Sequence, residues 1–345
     1  MIAAARFALV ALLCLGAGLG QAQQQDLPEL GDPTVAIISA EQEYRLGRGW
    51  LRDLRGQTSI MEDPLVQEYA EHLVYRLASF SELNEPDLAI VVINSAAINA
   101  FAVPGGVIGL NAGLFLNAAS EDEVASVVAH EIALSLIHIS EPTRQAEIQA
   151  QLAYSRHNEY EADRVGMQIL AAAGMDPSAM PRFFERMLEQ QRYSGDPPEF
   201  LLTHPLTAER VADSRARARS LSAPPANPSA SFELVRARIQ ARYFDGQERA
   251  RDYFGRRLES NDRVQKQAAR YGLALTDLKE DRYDAARRAL TGLVEAHPDQ
   301  IWFQLGLMEV DMDQGRYADV IERGKEVLTI NPKDYAASVM TARAY

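Results

Sequence analysis

The feature that most constrains this chain is a helix-forming stretch that carries two polar groups into its own apolar run. From Ser120 to Ile132 the residues read Ser-Glu-Asp-Glu-Val-Ala-Ser-Val-Val-Ala-His-Glu-Ile. Ser120 and Glu123 form a capping box, so the spacing predicts a helix that starts here and carries His130 and Glu131 about three turns in. Val124, Val127, Val128 and Ile132 recur at helical spacing, which turns this face toward a core. An imidazole and a carboxylate in a core need partners, and a metal ion with a water would supply them. Further on, Asn158-Glu159-Tyr160-Glu161-Ala162-Asp163 puts Glu159 and Asp163 one helical turn apart and pointing the same way. Alone, such an acidic pair is a solvated helix face; paired with His130-Glu131 it becomes a candidate ligand and its support, with Glu161 pointing elsewhere.

The expected pattern is His-Glu-x-x-His, which sets two imidazoles on one helix face within about 2.0–2.1 Å of a shared zinc ion. The intervening Glu then lies beside the attacking water as general base. Here position 134 is Leu, so only half of the pattern is present. His138 lies eight residues after His130, a rise of roughly 12 Å along a helix and too far for tetrahedral sharing. Pro142 turns Glu141 away from helix, so the helix should end near Ser140. His157 would face away from Glu159. Both read as surface histidines.

The segments Asn99–Gly106, Gly113-Leu114, Glu123–Ala133, Asn158–Asp163 and Thr203-His204-Pro205 occur in the order found in the gluzincin zinc metallopeptidases. With the repeats described below, the chain most resembles the periplasmic beta-barrel-assembly-enhancing protease family, part of metallopeptidase family 48. The resemblance implies one Zn²⁺ held by His130 and by Glu159, the first Glu of a Glu-x-x-x-Asp motif, with Glu131 catalytic. Asp163 would orient a ligating imidazole. His204, on a loop over the site, would be a fourth ligand or an oxyanion donor, and Arg210 would help to position that loop. Phe101, Ala102 and Val103 would bind substrate along a strand edge by main-chain pairing, an ordinary core hairpin being the plain alternative.

The departure from the family lies at 134–144, Leu-Ser-Leu-Ile-His-Ile-Ser-Glu-Pro-Thr-Arg. This string reads as an in-frame translation of a transposase adapter used in sequencing libraries. Relatives also carry several tens more residues between the two zinc motifs than the 29 positions from His130 to Glu159 here. The expectation is a gene joined across adapter sequence, with the second His and the helices after it lost; a natural divergent insertion is the alternative.

Residues 1–22 read as a secretory signal: Arg6, an apolar run from Phe7 to Leu19, and a small-residue cleavage site ending at Ala22. Cys14, the one cysteine, falls inside it, so the mature chain has no disulfide. Residues 23–38 read as a loose leader. Helices follow from Ser39 and from Asp63-Pro64, then a strand over Leu88–Asn94 and a hairpin around Pro104-Gly105-Gly106. A helix is expected over Gln149–Gly174 and another with Met180, Phe183, Phe184 and Met187 inward. Tyr193–Phe200 reads as a loop. Residues 222–231, with Pro224, Pro225 and Pro228, read as a linker.

Beyond it Leu273, Tyr283, Ala286 and Pro298 match Leu307, Tyr317, Val320 and Pro332 at a period of 34. That indicates tetratricopeptide helix pairs. Phe232–Asn261 reads as a degenerate earlier pair, and the last repeat should stop inside its first helix, which implies a truncated array. The expected fold is α+β and mostly helical: a metallopeptidase domain over 23–221 with a small sheet, then an α-solenoid over 232–345. A net charge of −13 argues against nucleic acid as a partner. The chain reads as a periplasmic zinc metalloendopeptidase in outer-membrane protein assembly or quality control, impaired by its missing ligand. Polypeptides, or the assembly machinery, would be recruited by the repeats, and no transmembrane span is expected in the mature chain. The alternative is a non-catalytic repeat scaffold.

Overall fold

The computed structural model describes residues 39–83, 87–140, 156–221, 229–243 and 247–345. The signal, the leader, most of the linker and the segment 141–155 lie outside the described residues.

Local chemistry starts the first helices where the sequence predicts. In α1 (Ala40–Gln57) the Ser39 hydroxyl accepts the Gln42 N–H while the Gln42 side chain accepts the Ser39 N–H. In α2 (Pro64–Ala78) one Asp63 carboxylate oxygen accepts the Leu65 and Val66 amides, and Pro64 opens the first turn. Strands β1 (Ala89–Ile93), β2 (Ala100–Val103) and β3 (Val107–Asn111) form one sheet in the order β1-β3-β2. β1 runs parallel to β3, and β2 is antiparallel to it. The β2–β3 turn needs Gly105 and Gly106, both at positive φ. α1 lies on that turn so closely that a Cβ on Gly47 would sit 2.5 Å from the Pro104 carbonyl oxygen. On the far side of β1, Ile60 adds an antiparallel bridge to Ile93.

After the short α3 (Ala112–Asn117) comes α4 (Glu121–Ser140), whose expected stop before Pro142 borders the segment outside the described residues. Its capping box is shifted: Ser120 Oγ accepts the Glu123 amide, but the Glu123 carboxylate takes the Ala119 amide, at 2.7 Å. α4 runs through the centre of the core. Val124, Val128 and Ile132 pack in one apolar cluster with residues of α2, of α5 (Arg156–Ala172) and of α6 (Ala179–Ser194). Each such side chain, fully buried, contributes about 1.5–3 kcal/mol. Gly174, at positive φ, ends α5 two residues after its last turn.

Two expectations are corrected. Phe200 belongs not to a loop but to a short helix, α7 (Glu199–Thr203), held by the Phe200 amide on the Ile98 carbonyl. α8 (Ala208–Ala218) follows, and α9 (Ala230–Tyr243) begins inside the expected linker, because Ser229 Oγ accepts the Phe232 amide and caps it early.

The C-terminal half is a stack of helix pairs, as expected. α9 and α10 (Gln247–Leu258) are the early pair; α11 (Arg263–Lys279) with α12 (Tyr283–Ala296), and α13 (Ile301–Asp313) with α14 (Tyr317–Ile330), are the 34-residue repeats; α15 (Tyr335–Ala344) begins another. An ionic joint recurs with them. Arg251 reaches Asp277 and Glu280 of the next pair, and Arg287 reaches Asp311 and Gln314. α9 ties the stack to the first core: Phe232, Val235 and Ile239 pack there, while Leu234, Ala237 and Ala241 pack with the repeats. Among the described residues no helix is long and apolar enough to cross a membrane.

Candidate metal centre

α4 and α5 can meet closely because α5 carries Gly166 at the crossing, where a Cβ would lie 3.1 Å from the His130 amide nitrogen. This approach brings the half-motif of α4 against the acidic pair of α5. His130, Glu131, Glu159, Asp163, His204 and Arg210 are all buried.

The His130 Nδ1–H donates to Asp163 Oδ1 at 2.9 Å. That contact fixes the ring and turns Nε2 toward Glu159, whose Oε2 lies 3.5 Å away without hydrogen-bond alignment. His204 joins from the loop after α7, with Nδ1 donating to Glu159 Oε1 at 3.1 Å and Nε2 3.4 Å from Glu131 Oε1. Phe200 stacks on the His204 ring at 4.5 Å. Arg210, from α8, binds both Asp163 oxygens at 2.8 Å and donates to the Pro205 carbonyl at 2.9 Å. Its guanidinium also lies 2.7 Å from Glu159 Oε2, a charge contact without hydrogen-bond alignment.

The electrostatics follow from this packing. Burial opposes charge on His130, but the Asp163 hydrogen bond and the Glu159 carboxylate outweigh it and push its pKa up to about 10. Burial acts the other way on Glu159, and His130, His204 and Arg210 together hold it well below the usual carboxylate range. Glu131 is raised by burial, only partly countered by the two imidazoles and by the Ala102 amide beside it.

Three buried atoms facing this space have no hydrogen-bond partner among the described residues: His130 Nε2, Glu131 Oε1 and Glu159 Oε2. An unsatisfied buried polar atom costs about 1–3 kcal/mol. One cation between His130 Nε2 and Glu131 Oε1 would satisfy two of them, with Glu159 Oε2 3.5 Å from that same His130 nitrogen. A ligand atom from each of His130, Glu131 and His204 lies within 4.8 Å of the others. Imidazole nitrogen with carboxylate oxygen is a zinc-type donor set, so the residues present fit a divalent ion. Leu134 offers nothing to it: its side chain is buried against Ala133, Ala162 and Val165. His157 is exposed, and the side chain of His138 lies outside the described residues.

Sequence reasoning brought these six residues together but missed what holds them. Phe200 and the Asn99–Glu199 hydrogen bond, 3.0 Å, anchor the His204 loop to the start of β2. Nothing in their spacing marks them, since they act across 100 residues. The Arg210 contacts with both carboxylates were likewise not foreseen. Of the predicted substrate residues, Phe101 has its ring committed to packing on Trp50 and over Gly109, leaving the β2 main chain and the half-buried Ala102 and Val103.

A model of the family described as "Peptidase family M48" matches this chain in two segments, residues 64–142 and 134–218. The chain is 34% identical to the beta-barrel assembly-enhancing protease of Escherichia coli (strain K12), over 94% of this chain and 76% of that one. A putative beta-barrel assembly-enhancing protease of Vibrio cholerae is 36% identical over 85% of this chain and 68% of its own. A more distant match is the mitochondrial metalloendopeptidase OMA1 of Arabidopsis thaliana, 26% identical over 45% of this chain and 36% of that one.

Proposed function

The chain belongs to peptidase family M48, a family of metalloendopeptidases, and on that premise we propose a periplasmic zinc endopeptidase of outer-membrane protein assembly whose metal site is one helix histidine short. The observation that carries this is the convergence of His130, Glu131, Glu159 and His204 around three buried atoms that lack partners. His130 and Glu159 would be two protein ligands to one zinc ion. His204 would take a further position, supplying the imidazole that Leu134 cannot. When bound, zinc polarises the scissile carbonyl and acidifies water at the site.

The residues of the chain do the rest. Glu131, raised by burial, is suited to take the proton of the attacking water and return it to the leaving amine. Asp163 holds the His130 ring in the tautomer that presents Nε2. Arg210 fixes the His204 loop through the Pro205 carbonyl. β2 is the outer strand of the sheet next to α4, where an extended substrate would pair by its main chain at Ala102 and Val103.

The 1–22 signal supports export to the periplasm, and the relatives' names support a role in barrel assembly. Residues 23–221 form the metallopeptidase domain in this reading, and 232–345 a tetratricopeptide domain that recruits polypeptide. Impairment follows from Leu134 and from 134–144 as adapter sequence spanning a deletion. Two facts support the join: the two family segments overlap at 134–142, and the E. coli match extends over 369 positions although the chain has 345 residues. Resequencing the source locus tests it; recovery of the same eleven codons from the genome overturns it.

The second reading, a scaffold without catalysis, is favoured by the apolar packing of Leu134. Zinc content of the purified chain divides the two. Near-stoichiometric zinc with weak, chelator-sensitive casein hydrolysis is expected, and a chain that takes up no zinc leaves the scaffold.

A further inference from the structure

The sheet has two outer sides, and the proposed substrate strand uses only one. On the other, Ser59–Met61 pairs with β1: the Met61 amide donates to the Val92 carbonyl and the Asn94 amide to the Ser59 carbonyl, each at 2.8 Å. In this antiparallel pattern the amide and carbonyl of the residue between them, Ile60, point away from β1. They point toward a cleft of about 1180 Å³ between the metallopeptidase half and the repeats. That is more than the roughly 300–1,000 Å³ of small-molecule pockets. Its far wall is soft and apolar, with Leu275, Leu278, Met312 and Met340 from α11, α13 and α15, the first helices of three successive repeats, and Met61 completes it from the strand side. Arg55, Lys279 and Arg343 also line it, against Glu62 and Asp313, and Arg238 and Glu309 there are bonded to each other. The lining carries one more cationic than anionic side chain, against a net charge of −13 for the whole protein.

We propose that this cleft binds an extended polypeptide segment bearing acidic side chains, which adds as a strand to the Ser59–Met61 edge and lays its alternate apolar residues on the methionine and leucine wall. Main-chain pairing gives it tolerance of sequence, and Arg55, Lys279 and Arg343 give it a preference for acidic partners. The site is separate from the metal centre. It deepens the recruiting role given to the repeats and rests on that role.

The test uses the full chain with a chelator present, so that zinc occupancy plays no part. The probe is a fluorescein-labelled nonapeptide of alternating Thr and Val with two Glu, read by anisotropy, beside an analogue with Lys for Glu. Saturable binding of the acidic probe is expected, about tenfold weaker for the Lys analogue and for the Lys279→Glu/Arg343→Glu double variant. Ile60→Pro removes the outward amide and leaves the Met61 and Asn94 hydrogen bonds in place, so about a tenfold loss is expected there also. Should that variant fail to fold, hydrogen exchange at the Ile60 amide of the unaltered chain carries the test, slowing when probe is added. Binding with no slowing at Ile60 and no effect of Ile60→Pro overturns the cleft while leaving recruitment elsewhere on the repeats intact. No binding by either peptide overturns both. Equal binding of the two peptides, or self-association through this edge that the probe does not displace, overturns the proposed occupant.

Discussion

Two of the buried charge clusters in this fold are finished differently. At the junction of the two halves, Arg238 donates to Asp63 at 2.6 Å, to the Tyr271 hydroxyl at 3.0 Å and to both oxygens of Glu309. Asp63 uses its other oxygen to cap α2. No side-chain atom of these four residues is without a hydrogen-bond partner. At the metal centre a comparable set of charges leaves three atoms unsatisfied. A cluster completed within the chain holds two modules in register; a cluster left incomplete fits a partner from outside the chain. Charge alone does not separate these two clusters, and the accounting of partners does; an open atom is not by itself a site, since Arg287 Nε, Asp311 Oδ2 and Arg323 Nε in the repeat joint also lack hydrogen-bond partners.

The largest effect should come from the finished cluster. Arg238→Met strands Asp63 in the core and leaves the half-buried Glu309 unpaired, and breaking a buried pair on one side costs about 3–5 kcal/mol. Urea unfolding should show that loss with zinc present or absent. A loss confined to the zinc-bound protein would mean that the junction is coupled to the metal site and that the contrast is false.

The unfinished cluster should respond to its missing partner. Zinc at a hundredfold excess over its Kd stabilises the protein that binds it by about 2.7 kcal/mol. Thermal unfolding should register that gain in the unaltered chain and in a Lys279→Glu control, and lose it in Glu159→Gln and His130→Ala. If Glu159→Gln keeps the gain, the ion is elsewhere.

Much of this contrast was legible in the sequence, and the reasons are local. Caps and periodicity give Ser39, Asp63-Pro64 and the α4 start, because an N-cap acts within three residues. The pairing of His130 with Asp163 followed from motif order once the half-pattern was placed in the family. The junction was not legible: Arg238 sits in an unremarkable helix, and its partners lie 175 and 71 residues away. His204 over the site followed from the resemblance, but the short helix α7 that carries it, with Phe200 stacked on its ring, was not legible. Leu134 could be read as a loss, but not as a side chain that packs well where it stands.

A smaller effect lies in pH. With zinc chelated, the raised His130 pKa makes its charge a stabilising contribution that is complete below its ordinary 6.5 and fades as pH rises through about 10. Glu131, raised by burial, pulls the same way, its ionisation on the alkaline side being disfavoured in the fold. Glu159, held low, contributes fully above its ordinary 4.5 and is lost as pH falls through its depressed value. The chelated chain should therefore keep the full His130 and Glu159 contributions between pH 4.5 and 6.5 and lose them on either side, while the cost of ionising buried Glu131 grows as pH rises above 4.5. Zinc binding removes the His130 proton, so its affinity should climb with pH. Unfolding curves across pH, with chelator and with zinc, check both slopes; in His130→Ala the alkaline loss should shrink.

Asn99 gives the smallest and sharpest division between the two kinds of cluster. Its Nδ2 donates to Glu199 at 3.0 Å, yet its buried Oδ1 has no hydrogen-bond partner. If the Asn99 side chain were architecture, Asn99→Ala should cost the full price of a lost buried hydrogen bond. Because the variant also removes an unsatisfied acceptor, the two changes offset, and a net loss below about 1 kcal/mol is expected. The loop should nonetheless loosen, since Asn99 and the Ile98 carbonyl are what fasten α7 to the start of β2. Faster hydrogen exchange at the Phe200 and His204 amides, with global stability nearly unchanged, would assign the bond to holding His204 over the site. A large global loss with unchanged local exchange would place Asn99 with Arg238 instead, among the residues that only hold the fold together.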